Sequence, residues 1–554
     1  MLSRLMAKYR FLLLILFLAS YLRIVDINSN PKAMYGDSLT LVYDAYSILK
    51  TGKDQTGQFL PLFFSMGGGR PAGYIYATIP FVALFGPTAA AARAVSILSG
   101  IGIVLLLYLL GRKLFSEKIG IYAAFLAAIA PWELSISRGA FETHFALFLS
   151  LLGLYCFYKA RENQLWWMVS AVSFALAMQT YLTYVVNISL FIGLLFWSEG
   201  FFKDRKKLIN WKPILLVCLI AASLVFSIYT SASRGSKDRF SNIALFDRPE
   251  VQANISSKVA VKRAFSAVKP ELAYRIHNKY TENLALIFEN YTKNFGLEFL
   301  FLKGDQEPLH NPASMGELCW GMLPLIILGI IYLYLNQRKY LGLLVGWLLI
   351  APIAGSLVSL PHALRNSFML PPFLILAACG LEFIFDQKNK STARKILIAI
   401  FIIFLIQLPF FIYNFYFLAP NLYANFWSYN AKKGVEIALK NSKKFDYIIL
   451  STSIPDMEFA YPVYAKVDPG QVISQFSKKT YLQEFSFVKY GKVYLGSIPS
   501  GNIKRIMGGL AGSVLYIGPV QDRGKVDSER IVRDKDGSAM FVISTKNLQG
   551  DLNY

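Results

Sequence analysis

The chain has 554 residues, of which 55% are hydrophobic and only 16% charged, with a mean hydropathy of +0.42. A soluble domain carries about 25% charged residues, so this composition excludes a disordered chain, a coiled coil and a disulfide-stapled secreted domain, and predicts a polytopic membrane protein. The net charge of +23 reads as Lys and Arg flanking membrane spans rather than as a nucleic-acid surface, for which there is no motif.

At the N-terminus, Arg4, Lys8 and Arg10 precede an apolar run from Phe11 to about Val25. No small-residue cleavage site stands ahead of Asp26, so the run reads as a retained first helix. Apolar stretches of about 17 to 25 residues mark spans. About eleven fit, at roughly 9–25, 92–111, 119–135, 144–160, 165–181, 184–200, 213–230, 318–335, 341–359, 367–385 and 395–418. The fifth and sixth need a tight turn near Tyr181–Tyr184. The basic clusters Arg112/Lys113/Lys118, Lys159/Arg161, Lys203/Arg205/Lys206/Lys207, Arg338/Lys339 and Lys388/Lys390/Arg394/Lys395 then share one side of the membrane with the N-terminus. The positive-inside rule makes that side cytoplasmic and leaves the C-terminus outside.

The outer side carries the bulk: a first loop over 26–91, a long loop over 231–317, and short loops near 135–143 and 360–366. Two stretches of the first loop, 38–50 and 71–85, are helical but too short to span, and are expected along the membrane surface. Residues 1–420 form the membrane domain and 421–554 an extracytoplasmic soluble domain. In the latter, Tyr447–Leu450, Val493–Ile498, Val514–Ile517 and Met540–Ile543 read as strands and 430–440 as a helix, an α/β or α+β arrangement. Cys156, Cys218, Cys319 and Cys379 lie in or beside apolar runs without CxxC spacing, so neither a disulfide framework nor a cysteine metal site is expected.

The four histidines, His144, His277, His310 and His362, fall outside or at an outer boundary, as do most acidic residues with polar company. Chemistry is therefore expected on the outer face. No P-loop or dinucleotide fingerprint appears, and an activated substrate there would arrive attached to a lipid. Asp37, in Tyr35-Gly36-Asp37-Ser38, is either a helix N-cap or a carboxylate base. Asp44 shares its helical face and reads first as a solvated charge, and Asp54 reads first as turn chemistry. Gly67-Gly68-Gly69-Arg70-Pro71 offers close backbone approach to an anion and a guanidinium fork for phosphate; the simpler reading is a flexible loop with a snorkelling arginine. Arg138 and Glu142 stand at i, i+4 and could pair, although ionisable residues at that depth default to function. Further candidates are Asp305 and His310 in the long loop, and His362 and Arg365 at the lip of a span. HExxH spacing and a GxSxG elbow are both absent; a divalent metal is left open but not indicated.

These residues carry a resemblance. Asp37 after the first span, Tyr46, Gly52-Lys53-Asp54, Arg70-Pro71 before Tyr74-Ile75-Tyr76, and Pro80 with Phe85-Gly86 begin it. Ala92-Arg93-Ala94-Val95-Ser96, Pro131-Trp132, Ser137-Arg138 with Glu142, Phe301-Leu302 with Gly304-Asp305, Pro361-His362 with Arg365, and Asp468-Pro469 extend it. Residues 1–420 resemble GT-C glycosyltransferases of the protein O-mannosyltransferase and ArnT-like type. The resemblance implies a GT-C fold and inverting transfer of a sugar from a polyprenyl-phosphate donor to a glycan, lipid or protein acceptor, in the plasma membrane. It implies a base at Asp37 and a phosphate contact at Arg70; the outer-face placement of the other candidates adds Glu142 as second-choice carboxylate and Arg138, His362 or Arg365 as further phosphate contacts. The family's Asp-Glu pair reads Asp37-Ser38 here, and its usual Lys is Arg70. The alternatives are a lipid-linked sugar transporter, against which few ionisable residues lie inside the spans, and an inactive envelope-assembly subunit.

Overall fold

A computed structural model describes residues 2–66, 69–203, 211–233, 248–548 and 550–554. Gly67, Gly68 and the basic residues Arg205, Lys206 and Lys207 lie outside the described residues, and the side chains of Arg4 and Lys8 are likewise not described. The chain packs as two compact units: Met1–Val25, Gly68–Tyr74 and Ser96–Phe415 in one, and Asp26–Gly67, Ile75–Val95 and Tyr416–Tyr554 in the other.

The first unit is helical. Among the described residues, four helices are long and apolar enough to cross a membrane: Ala89–Leu114, Arg338–Ser356, Ser367–Phe385 and Lys390–Leu422. The bent pair Glu117–Ile129 and Pro131–Arg138 makes a fifth if taken as one broken span, bent by 57°. The bend falls at Pro131, which has no N–H to continue the upstream helix. Shorter apolar helices, Leu165–Met178, Leu182–Ser198, Ile214–Tyr229 and Met322–Asn336, stand where further spans are expected from sequence. The protein is a membrane protein built on these apolar helices. Helices Met322–Asn336 and Leu370–Phe385 meet at Gly329 and Gly380, where a Cβ on either would collide with the carbonyl oxygen of Leu376 or Leu325. Small residues there let the two backbones approach, as association inside a bilayer requires.

Among the described residues of this unit, a buried charge pair and an imidazole form one network. Arg23 and Glu133, both fully buried, form an ion pair. The other Glu133 oxygen, Oε1, lies 2.9 Å from His144 Nε2, and His144 Nδ1 lies 2.9 Å from the Ser96 carbonyl oxygen. A buried pair broken on one side leaves a charge in a low-dielectric interior, which costs about 3–5 kcal/mol. Glu133→Ala is accordingly expected to be destabilised by about that amount, read as a lowered unfolding temperature in detergent. A variant as stable as wild type would contradict the pairing.

In the second unit, with strands labelled β1 Tyr447–Ser451, β2 Thr480–Leu482, β3 Phe485–Tyr490, β4 Val493–Gly496, β5 Val514–Gly518, β6 Arg530–Arg533 and β7 Ala539–Lys546, the seven-stranded sheet has the order β2-β3-β4-β1-β5-β7-β6. Strand β1 lies between β4 and β5 and is parallel to both; the remaining pairings are antiparallel. The three parallel strands are almost continuously buried, the pattern of strands covered on both faces. Strand β6 ends the sheet with exposed Arg530 and Arg533, charges that discourage edge-to-edge pairing. Asp522 is buried and accepts from Tyr516 Oη and Ser500 Oγ, each at 2.6 Å.

The first outer loop, which the sequence groups with residues 1–420, packs here with the residues after 416. Helix Gly36–Thr51 lies against helices Met457–Tyr464 and Pro469–Phe476. Tyr43 Oη donates to the Val467 carbonyl at 2.7 Å, and Met34 N donates to Tyr464 Oη at 3.3 Å. Arg93, buried, donates to the carbonyls of Ile27, Pro31 and Ala33. The physical reason is the buried face of helix Gly36–Thr51, which runs from Ser38 to Ile48 and finds its cover in this unit.

Candidate functional site

The first unit brings Arg70 and Glu142 together. Arg70 Nη1 lies 3.3 Å from Glu142 Oε1, with side-chain exposures of 4% and 13%. Arg70 follows Gly69, whose φ of +88° a side chain would strain, and Glu142 opens helix Glu142–Lys159. A carboxylate in a first helical turn is favoured by the partial positive charge there. The sequence spacing predicts that Glu142 pairs with Arg138; the ion pair in the structure joins Glu142 to Arg70. Helix Pro131–Arg138 ends at Gly139, so Arg138 and Glu142 do not share a helical face. Arg138 instead donates to the Leu22 carbonyl at 3.0 Å and lies over the Phe415 ring at 5.9 Å.

Two residues of the long loop and one of the 360–366 loop form a second cluster. Ligand atoms of Asp305, His310 and His362 all lie within 4.8 Å of one another. His310 Nδ1 is 3.1 Å from Asp305 Oδ2, His362 Nδ1 is 3.6 Å from the same oxygen, and the two imidazoles face each other at 4.5 Å. Ala363 N also donates to Asp305 Oδ2 at 2.7 Å, and Asp305 N donates to Glu317 at 2.9 Å. Trp132 adds two bonds, its N–H to the Glu317 carbonyl and its indole N–H to the Ala363 carbonyl at 3.0 Å. The long loop and the 360–366 loop are thus tied to the start of helix Pro131–Arg138. His310 also touches Phe141, the residue before Glu142, with ring centroids 5.6 Å apart.

The electrostatics follow from burial. Burial pushes the Asp305 carboxyl up, but the hydrogen bond with His310, both imidazoles and the Glu307 amide outweigh it and hold it at about 2. Burial, with His310 and Arg365 nearby, lowers His362 well below the ordinary imidazole value. Burial and the Asp305 charge raise Glu317 well above the ordinary carboxyl value. An ionised carboxylate beside a neutral imidazole is a donor set suited to a divalent cation such as zinc, with coordination positions left over. Such an ion would act as a Lewis acid or hold an anionic oxygen. Purified protein exposed to zinc and desalted is expected to keep about one equivalent, and the double variant His310→Ala/His362→Ala to lose it. Equal retention by the variant would leave the trio as a hydrogen-bonded loop clasp only.

The remaining candidates lie as follows. Arg365 Nη1 donates to Ser359 Oγ at 2.5 Å. In the second unit, Asp37 is half-buried in the first turn of helix Gly36–Thr51, whose N-cap is Tyr35, not Asp37. Asp44 is buried, not solvated, and accepts from Gln55 N at 3.1 Å, closing the helix onto the turn that follows. Asp54 Oδ1 accepts from Thr56 N, Thr56 Oγ1 and Gln58 N, so it organises that turn. Glu133 and Arg23 stand in no motif; an ionisable residue inside each of two apolar runs is the signal that marks them.

Residues 70–228 match the family model described as dolichyl-phosphate-mannose-protein mannosyltransferase. No curated protein sequence is significantly similar to the chain. Among solved structures, it is similar to ArnT from Cupriavidus metallidurans bound to undecaprenyl phosphate, at 12% identity and a TM-score of 0.55, over 98% of this chain and 99% of that one. The apo state of the same protein gives 11% identity and a TM-score of 0.54, over 97% and 98%. An archaeal oligosaccharyltransferase, AglB from Archaeoglobus fulgidus in complex with an inhibitory peptide and a dolichol-phosphate, gives 14% identity and a TM-score of 0.49. That match covers 83% of this chain and 64% of AglB, so the chain spans less than two thirds of that protein. The chain thus shares its fold with ArnT and matches the mannosyltransferase family model over residues 70–228.

Proposed function

We propose that the chain is an integral-membrane glycosyltransferase that moves a sugar from a polyprenyl-phosphate donor to an acceptor hydroxyl, with inversion. The observation that carries this reading is the buried Arg70–Glu142 pair inside the segment that matches the mannosyltransferase family model. A buried guanidinium is a strong holder of a phosphate, and the carboxylate beside it fixes its orientation. In this reading the chain crosses the plasma membrane about eleven times, N-terminus inside, with residues 421–554 and the chemistry on the extracytoplasmic face.

The acceptor oxygen attacks the anomeric carbon and its proton passes to Asp37. The bond from that carbon to the phosphate oxygen breaks, and polyprenyl phosphate leaves with the electron pair. Arg70 stabilises the charge gathering on the phosphate, a contact that strengthens as the bond breaks. Phosphate leaves without protonation, so one base and one cation suffice.

The test is transfer by purified protein in liposomes given radiolabelled polyprenyl-phosphate sugars and a crude envelope acceptor mixture. Label moving into a non-lipid or lipid acceptor supports the reading. Label that binds and never leaves the donor points to a non-catalytic subunit.

A further inference from the structure

The long loop carries a surface that the sugar-transfer reading does not use. Helix Pro249–Ala264 packs against helix Lys279–Lys293. The contact buries Ile255 and Val259, and Glu282, 7% exposed, pairs at 2.7 Å with the half-exposed Lys262. Glu282 therefore faces the partner helix. Tyr280, Leu284 and Phe288, at i, i+4 and i+8, lie about half a turn round from it. They are 83%, 65% and 67% exposed, and Phe265 at the end of the first helix is 87% exposed.

An apolar row of this kind on a membrane protein invites comparison with the lipid-facing spans, but these helices cannot span. Between residues 249 and 293 the sequence holds seven Lys or Arg and four Asp or Glu. Two of the acids, Glu282 and Glu289, are paired with Lys262 and Lys293. Lys258, Lys269, Arg275 and Lys279 are exposed around the apolar row. Aromatic and leucine side chains on one face with surplus cations beside them are the signature of a helix lying in the headgroup region of an anionic bilayer.

We propose that helices Pro249–Ala264 and Lys279–Lys293 dock on a leaflet rich in anionic lipid, with Phe265, Tyr280, Leu284 and Phe288 inserted below the headgroups and the four cations at phosphate level. The inference needs only a membrane protein; it stands or falls apart from the transfer activity. Its chemistry distinguishes a bilayer from a second copy or a protein partner, because only a bilayer offers acyl chains and a plane of negative charge together.

The experiment uses the full chain in nanodiscs. A cysteine introduced at Phe288 or Phe265, in a Cys218→Ser background whose remaining Cys156, Cys319 and Cys379 are buried, carries an environment-sensitive fluorophore; Asn254→Cys is the control. These positions are exposed, so labelling leaves the packing intact. In discs containing phosphatidylglycerol, the Phe288 and Phe265 labels are expected to be quenched by lipids brominated on their acyl chains and shielded from aqueous iodide, with the control reversed. The preference for phosphatidylglycerol over phosphatidylcholine is expected to fall about fivefold for each of Lys269, Arg275 and Lys279 changed to Gln. Labels that iodide reaches as readily as the control overturn the proposal. So do labels shielded from both quenchers, which would mean a protein covers the row.

Discussion

Arg70→Ala is expected to lower sugar transfer by about 10²–10³-fold. The guanidinium is almost fully buried, so the water that could replace it is largely excluded and its charge acts at short range in a low dielectric. The loss should appear mainly in kcat, because negative charge on the departing phosphate is greatest in the transition state. Binding of polyprenyl phosphate itself should also weaken, since the product carries that charge in full. Arg70→Lys keeps the charge and loses the fork, so it should fall between wild type and Arg70→Ala. Parallel assays of transfer and of polyprenyl-phosphate binding check both parts. An Arg70→Ala variant that folds and transfers at the wild-type rate would remove Arg70 from the mechanism.

Asp37→Asn is expected to cost about 10²–10⁴-fold, the usual worth of a positioned general base. Asparagine matches the shape of aspartate and can still sit in the first turn of helix Gly36–Thr51, but it cannot take a proton. The signature is therefore a fall in kcat with donor binding kept, read by equilibrium binding of the lipid donor beside the rate. Transfer that survives Asp37→Asn moves the base elsewhere, and Glu142 is the next residue to test. Its contact with Arg70 makes Glu142→Gln a variant in which both transfer and phosphate binding should change, unlike Asp37→Asn.

Much of the architecture could be read from local sequence. Long apolar runs such as 92–111 and 367–385 announce helices because each residue in a bilayer must satisfy its own backbone within the helix. Strands Tyr447–Ser451 and Val514–Gly518 show as short aliphatic runs between turn residues. The family resemblance through Arg70 and Glu142 singled out two residues that the fold pairs. Other features depend on contacts that sequence spacing does not encode. The trio of Asp305, His310 and His362 spans two loops separated by helices, so no ligand-spacing motif announces it. Asp44 looked solvated because helical periodicity gives its face but not its cover; the turn at Gln55 supplies that cover. Arg138 and Glu142 have helical spacing, yet Gly139 ends the helix between them. The first outer loop was placed by its position between two spans, whereas its packing is set by the buried face of helix Gly36–Thr51.

A transferase breaks the bond between sugar and lipid phosphate, whereas a transporter carries the donor intact. The most direct measurement is the release of free polyprenyl phosphate by the protein in sealed liposomes, with acceptor present and absent. Release is expected only with acceptor, in equal amounts to sugar transferred, and abolished by Asp37→Asn. Intact donor appearing in the opposite leaflet, with no polyprenyl phosphate released, would contradict transfer and identify a transporter.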